Sequence, residues 1–120
     1  MKTKTIKAEY RKFTAECNRL ADMLNLRDWC IELKHDDRDF TGKTLGNKQA
    51  CANINAPARL VSITLNTNRL VSFDPLRVAK HEMAHVLLAT MVYIGGCRWA
   101  HNDELEMEDE RLARVFEKIL

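Results

Sequence analysis

Two histidines and a glutamate in the second half of the chain have the types and the spacing of a metal-dependent hydrolytic site. They lie in the segment His81-Glu82-Met83-Ala84-His85. On a helix, side chains at i and i+4 share one face, so two imidazole nitrogens can bind a single metal ion. The carboxylate of Glu82 would then lie close to a water on that metal. This H-E-x-x-H pattern predicts a Zn²⁺ site in which His81 and His85 are ligands and Glu82 is the general base.

The residues around the motif predict the helix that carries it. Asp74-Pro75 is a good start, because Asp caps helix N-termini and Pro at the first helical position loses no hydrogen bond. Gly95-Gly96 is a good end. The run between them is apolar on nearly every side, which is typical of a buried helix. Unpaired polar side chains inside it would cost several kcal/mol, so the histidines and the glutamate need partners.

A catalytic zinc ion also needs a third protein ligand and an open position. The acidic residues 103–110 open a predicted C-terminal helix that runs to Leu120. The apolar stripe of that helix consists of Leu105, Leu112, Val115, Phe116 and Ile119. Glu108 and Glu110 both project together with apolar residues of this helix, so either can face inward. The candidates for the third ligand are His101, Glu106, Glu108 and Glu110.

Hydrolysis of an amide requires a further donor that stabilises the oxyanion. His101 and Tyr93 are candidates for this catalytic role, and Arg98 is a weaker one. His35, at the end of the first predicted strand, is a further residue that could line the cleft.

The remaining pattern predicts one α+β domain over residues 1–120. An apolar stripe at helical spacing predicts an N-terminal helix, and its members are Ile6, Tyr10, Phe13, Cys17, Leu20 and Leu24. Three short strands follow, with the alternating apolar residues Trp29, Ile31 and Leu33, then Ala50, Ala52 and Ile54, then Val61, Ile63 and Leu65. Their short connections favour a small, meander-like and mainly antiparallel sheet, which the helices cover on one face.

On these residues the chain resembles the small H-E-x-x-H metallopeptidases of gluzincin type that occur in phages and prophages. It resembles the peptidase domain of the ImmA/IrrE family more distantly. The likeness extends over most of the chain, but only the segment 81–85 is a specific motif. In such proteins a glutamate of the last helix is the third ligand, followed by a small residue at +3 and a large apolar residue at +6. Glu110, Ala113 and Phe116 fit that pattern, so the resemblance implies a minimal zincin-like fold, a zinc peptidase and Glu110 as a ligand.

SprT-type proteases are a second family that the motif resembles. They use a third histidine downstream, which would be His101 here. The GHGxxF-like context of that histidine is absent, and no zinc-ribbon cysteines follow it. This resemblance implies a DNA-associated protease, tethered by the more basic first half of the chain. A zinc-binding regulatory module with little or no activity is a further alternative.

Composition limits the partners. There are 19 Lys and Arg against 17 Asp and Glu, a net charge of +2, so nucleic acid is not an expected partner. No apolar run is long enough to span a membrane, and no secretory signal is present. The four cysteines form no CxxC pair, which favours reduced thiols and a cytoplasmic protein.

We expect a monomer or weak homo-oligomer that binds a peptide or protein substrate along the edge of segment 59–66, where Ser62, Thr64 and Asn66 point outward.

Overall fold

The part of the chain that the structure describes forms three helices and a small mixed sheet, which confirms the predicted α+β class. The structure is a computed structural model, and it describes residues 3–4, 7–69, 73–96 and 102–120. The helices are α1 (Lys7–Met23), α2 (Pro75–Gly96) and α3 (Asn102–Ile119). The strands are β1 (Thr3–Lys4), β2 (Cys30–Asp36), β3 (Ala50–Asn55), β4 (Leu60–Asn66) and β5 (Asn68–Arg69). None of the helices within the described ranges has the length and apolarity that a membrane span requires.

The three predicted strands form one sheet, but in the order β2-β4-β3. Strand β4 pairs antiparallel with β3 and parallel with β2, so the predicted meander-like and mainly antiparallel arrangement is wrong. The connections explain the difference. A short turn joins β3 to β4, as in a hairpin, whereas the long segment 37–49 between β2 and β3 leaves room for β4 between them. Strands β1 and β5, which the sequence did not predict, form a separate two-stranded ladder.

The core lies between one face of the sheet and helices α1 and α2. Alternate residues of β4 are buried there as predicted, because side chains on a strand point to opposite faces in turn. The fully or nearly fully buried members are Phe13, Cys17, Leu20, Val61, Ile63, Leu65, Ala79, Met83 and Val86. Cys17, Cys30 and Cys51 are free thiols, and Cys97 lies outside the described residues.

The polar residues of β4 are not on an exposed edge. Thr64 is 0% and Asn66 1% exposed, and β4 is the central strand of the sheet. The side-chain amide of Asn66 donates to the backbone carbonyls of Lys48 at 2.7 Å and Gly46 at 3.3 Å. Its Oδ1 accepts a hydrogen bond from the backbone amide of Asn68 at 2.9 Å. Asn66 therefore fixes the chain just before β3 against the end of β4.

This network yields a stability prediction. We expect Asn66→Ala to lower the free energy of unfolding by about 2–3 kcal/mol, because buried backbone groups lose their partner. The matched control is Asn47→Ala, at an exposed position of the same connection, with an expected change under about 0.5 kcal/mol. Urea unfolding of both variants measures the difference, and equal midpoints would show that the network contributes nothing.

Helix α2 begins and ends where the sequence predicts. The Leu76 amide donates to Asp74 Oδ1 at 3.0 Å, which is the expected N-cap, and the helix ends at Gly96. Helix α3 lies antiparallel to α2. Gly95 is in close contact with Leu105 at one end, where a Cβ would lie 2.9 Å from Leu105 Cδ2, and Arg77 pairs with Glu117 at the other.

The predicted apolar stripe of α3 is only partly correct. Leu105, Leu112 and Phe116 are half-buried, but Val115 and Ile119 are 43% and 70% exposed. Helix α3 packs mainly against α2, so the covered stripe is narrower than the sequence pattern. Its centre is Ala113, which is fully buried and lies on the same side as Glu110.

Candidate metal centre

Three side chains from α2 and α3 converge on one point. His81 and His85 are one turn apart on α2, with their Nε2 atoms 3.1 Å from each other. Glu110 of α3 faces both of them. Its Oε1 lies 2.9 Å from His85 Nε2, and its Oε2 lies 3.6 Å from His81 Nε2. The antiparallel packing of the two helices thus places a carboxylate opposite the histidine pair.

The arrangement fits a tetrahedrally coordinated ion. With zinc–ligand bonds of about 2.0–2.1 Å, neighbouring ligand atoms of a tetrahedral site are about 3.3–3.4 Å apart. The two Nε2 atoms are 3.1 Å apart, and the two oxygens of Glu110 lie 2.9 Å from His85 Nε2 and 3.6 Å from His81 Nε2, so each contact is close to that value. With one donor atom taken from each residue, all three atoms lie within 4.8 Å of one another. Two imidazoles and one carboxylate are also a donor set that zinc accepts. The group His81, His85 and Glu110 could therefore hold a metal ion.

Helix α3 also supplies carboxylates to the far side of both histidines. His85 Nδ1 lies 3.0 Å from Asp109 Oδ1, and His81 Nδ1 lies 3.7 Å from Glu117 Oε2. A carboxylate bonded to Nδ1 fixes the ring orientation and leaves Nε2 as the metal-binding atom. Asp109 holds His85 by a hydrogen bond in this way, whereas Glu117 faces His81 at ion-pair distance.

We expect Asp109→Asn to weaken zinc binding about 10- to 100-fold, because the hydrogen bond that orients the His85 ring is lost or weakened. Asp103→Asn is the matched control, since Asp103 is exposed near the start of the same helix. Competition with a chromophoric zinc chelator measures both affinities. Equal affinity in the two variants would show that the contact has no effect on the metal.

Glu82 lies next to this group and is almost completely buried, with 8% of its surface exposed. Burial raises the pKa of the Glu82 carboxyl to about 7, with Glu110 and Asp109 adding to the rise and His85 opposing it. A carboxyl group with such a pKa can accept and release a proton near neutral pH. Burial and the neighbouring His85 lower the pKa of His81, which favours the neutral imidazole that metals bind.

The three donor groups line a cleft of about 780 Å³ between β3 and helices α2 and α3. Among the residues that the structure describes, no strand pairs with the outer side of β3, so β3 rather than segment 59–66 forms the free edge of the sheet at the cleft. Strand β4 is central, and the predicted substrate-binding edge is therefore wrong. The backbone amide of Asn66 donates to the backbone carbonyl of Gln49, so these two residues form a hydrogen-bonded pair of the antiparallel ladder. Because such pairs alternate, the backbone groups of Ala50, Ala52 and Ile54 point away from β4.

Several predicted site residues lie elsewhere. Tyr93 is half-exposed and, eight residues beyond His85, lies about 12 Å further along α2. His35 stacks on Tyr10 with ring centroids 4.7 Å apart, and it does not line the cleft. Neither residue is placed to stabilise an oxyanion at this site. His101 and Arg98 lie outside the described residues.

The other two acidic candidates for the third ligand point to solvent. Glu108 is exposed and forms a two-point ion pair with Arg111. Glu106 is exposed and lies on an outer surface of α3. Of the three glutamates, only Glu110 reaches the histidines.

Sequence reasoning missed Asp109, Glu117 and Lys48, all of which line the cleft. Asp109 and Glu117 precede and follow Glu110 by one and seven residues, and seven residues are two helical turns. The spacing of Glu117 from Glu110 was therefore a usable signal, which the apolar pattern of α3 concealed. The one-residue spacing of Asp109 gave no such signal. Lys48 gave no signal, since it lies in a polar connection.

Comparison of the chain with family models, with curated proteins and with solved structures finds no match in any of the three. The geometry and chemistry of the site are therefore the basis for assigning a function.

Proposed function

We propose that this protein is a zinc-dependent peptidase with His81, His85 and Glu110 as the metal ligands. The observation that carries the proposal is the convergence of these three side chains in a cleft beside a buried glutamate. The H-E-x-x-H segment alone would supply two ligands. Glu110, which α3 brings to the two histidines, would supply the third. The same residue is the ligand that the gluzincin resemblance implies.

Zinc bound there would supply Lewis-acid chemistry, which makes water a nucleophile near neutral pH and polarises a peptide carbonyl. Glu82 is the proton carrier. Its carboxylate takes a proton from the water that attacks the carbonyl carbon, and passes it to the amine that leaves as the C–N bond breaks.

The substrate in this proposal is an extended peptide that pairs with the free edge of β3. The backbone groups of Ala50, Ala52 and Ile54 are available for such strand addition. The side chains of Ala50 and Ala52 are small, and both residues line the cleft. The cleft faces α2 on its other side, so a peptide bond held along β3 lies between the strand and the histidines.

Metal-dependent cleavage tests the proposal. We expect the zinc-loaded protein to cleave a denatured protein substrate, chelation to abolish the cleavage, and added zinc to restore it. Mass spectrometry of the products locates the cleaved bonds and distinguishes hydrolysis from a contaminating protease, since the chelated sample is the same preparation. A protein that binds zinc and cleaves nothing would contradict the peptidase proposal and leave a metal-binding module.

A further inference from the structure

Lys48 lines the cleft but has no part in the proposed reaction. Its backbone is fixed on both sides, because its amide donates to the Leu45 carbonyl at 3.0 Å and its carbonyl accepts from Asn66 at 2.7 Å. Its side chain is exposed. A flexible cation is thus attached to a rigid point just before the free edge of β3.

The charges around the cleft leave Lys48 without a partner. Arg77, the other cation of the cleft, pairs with Glu117 at 3.4 Å. Asp109 and Glu110 are engaged with His85. Within the part of the chain that the structure describes, no carboxylate lies within ion-pair distance of the Lys48 ammonium.

We propose that Lys48 makes the cleft selective for peptides with an acidic side chain beside the start of β3. The inference rests on the proposed function, since it assigns a substrate class to that site. A peptide paired with Ala50 and Ala52 places one of its side chains next to Lys48, where a carboxylate gains an ion pair that an amide does not. Since the Lys48 side chain is exposed, the expected gain in affinity is about fivefold.

Binding measured without cleavage tests this selectivity. The probes are three fluorescent decapeptides with blocked termini, identical except for Glu, Gln or Lys at three alternate positions, so that one lies near Lys48 in any register. Each is titrated into zinc-loaded Glu82→Gln protein and followed by anisotropy at low and high salt. We expect the Glu peptide to bind about fivefold more tightly than the Gln peptide and the Lys peptide to bind most weakly, with smaller differences at high salt.

Two further substitutions in the same background complete the test. Lys48→Gln should remove the preference, whereas Arg77→Gln, the control at the cation already paired with Glu117, should retain it. Equal binding of the Glu and Gln peptides, no binding of any peptide, or a preference that survives Lys48→Gln would each overturn the inference. The same peptides are then incubated with the zinc-loaded native protein. Selective binding without cleavage contradicts the peptidase proposal alone, and cleavage without selectivity contradicts the role of Lys48 alone.

Discussion

Glu82→Gln is expected to reduce peptide hydrolysis by about 10²- to 10⁴-fold while zinc stays bound. The amide has nearly the shape of the carboxyl group but cannot take a proton from water. Glu82 is not among the three converging ligands, so its replacement leaves the donor set intact. Rates of peptide cleavage and zinc content, measured on the same preparation, separate loss of chemistry from loss of metal.

The stability of this variant provides its control. Burial raises the pKa of Glu82 from 4.5 to about 7, so the folded protein holds a proton that the unfolded chain releases between these values. Stability of the metal-free native protein therefore falls as pH rises through this window. Glutamine has no such penalty, and we expect the metal-free variant to equal or exceed the native protein in stability at pH 8. A folded, zinc-loaded variant that cleaves at the native rate would contradict the role of Glu82 as general base.

His85→Ala is expected to weaken zinc binding by more than about a hundredfold. Loss of a hydrogen bond to a ligand weakens metal binding about 10- to 100-fold, and loss of the ligand itself has a larger effect. His81→Ala should have the same effect. His35→Ala is the matched control, because His35 stacks on Tyr10 away from the cleft, and it should bind zinc as the native protein does. Chelator competition measures all of these affinities.

A pair of glutamate substitutions tests the third ligand in the same assay. Glu110→Gln should weaken zinc binding strongly, and Glu108→Gln, on the outer side of the same helix, should not. If Glu108→Gln were the damaging change, the register of α3 against α2 would be wrong. If neither had an effect, Glu106 and His101 would remain as the candidates for the third ligand.

The sequence predicts those features that depend on local patterns. The bounds of α2 follow from Asp74-Pro75 and Gly95-Gly96, because capping and helix termination involve neighbouring residues. The closeness of His81 and His85 follows from their spacing of four residues, which is about one helical turn. The strand positions follow from the alternation that one buried face imposes, as at Val61, Ile63 and Leu65.

Features that depend on the packing of distant segments were predicted less well. The order β2-β4-β3 is decided by the long connection 37–49, which no periodic pattern describes. In this order β3, rather than the expected β4, has the free edge at the cleft. Strand β4 is central instead, and its residue Asn66 is buried. The side of α3 that faces α2 was ambiguous from its apolar residues, so Glu108 and Glu110 could be distinguished only by a resemblance. Asp109 and Glu117 were missed for the same reason.

The central claim is that His81, His85 and Glu110 bind one zinc ion in the cleft. X-ray diffraction from crystals of the zinc-loaded protein, collected on both sides of the zinc absorption edge, tests it most directly. We predict one anomalous peak in the cleft, bonded to Nε2 of both histidines and to a carboxylate oxygen of Glu110 at about 2.0–2.2 Å. A cleft without an anomalous peak, or a zinc ion held there by other side chains, would contradict the claim.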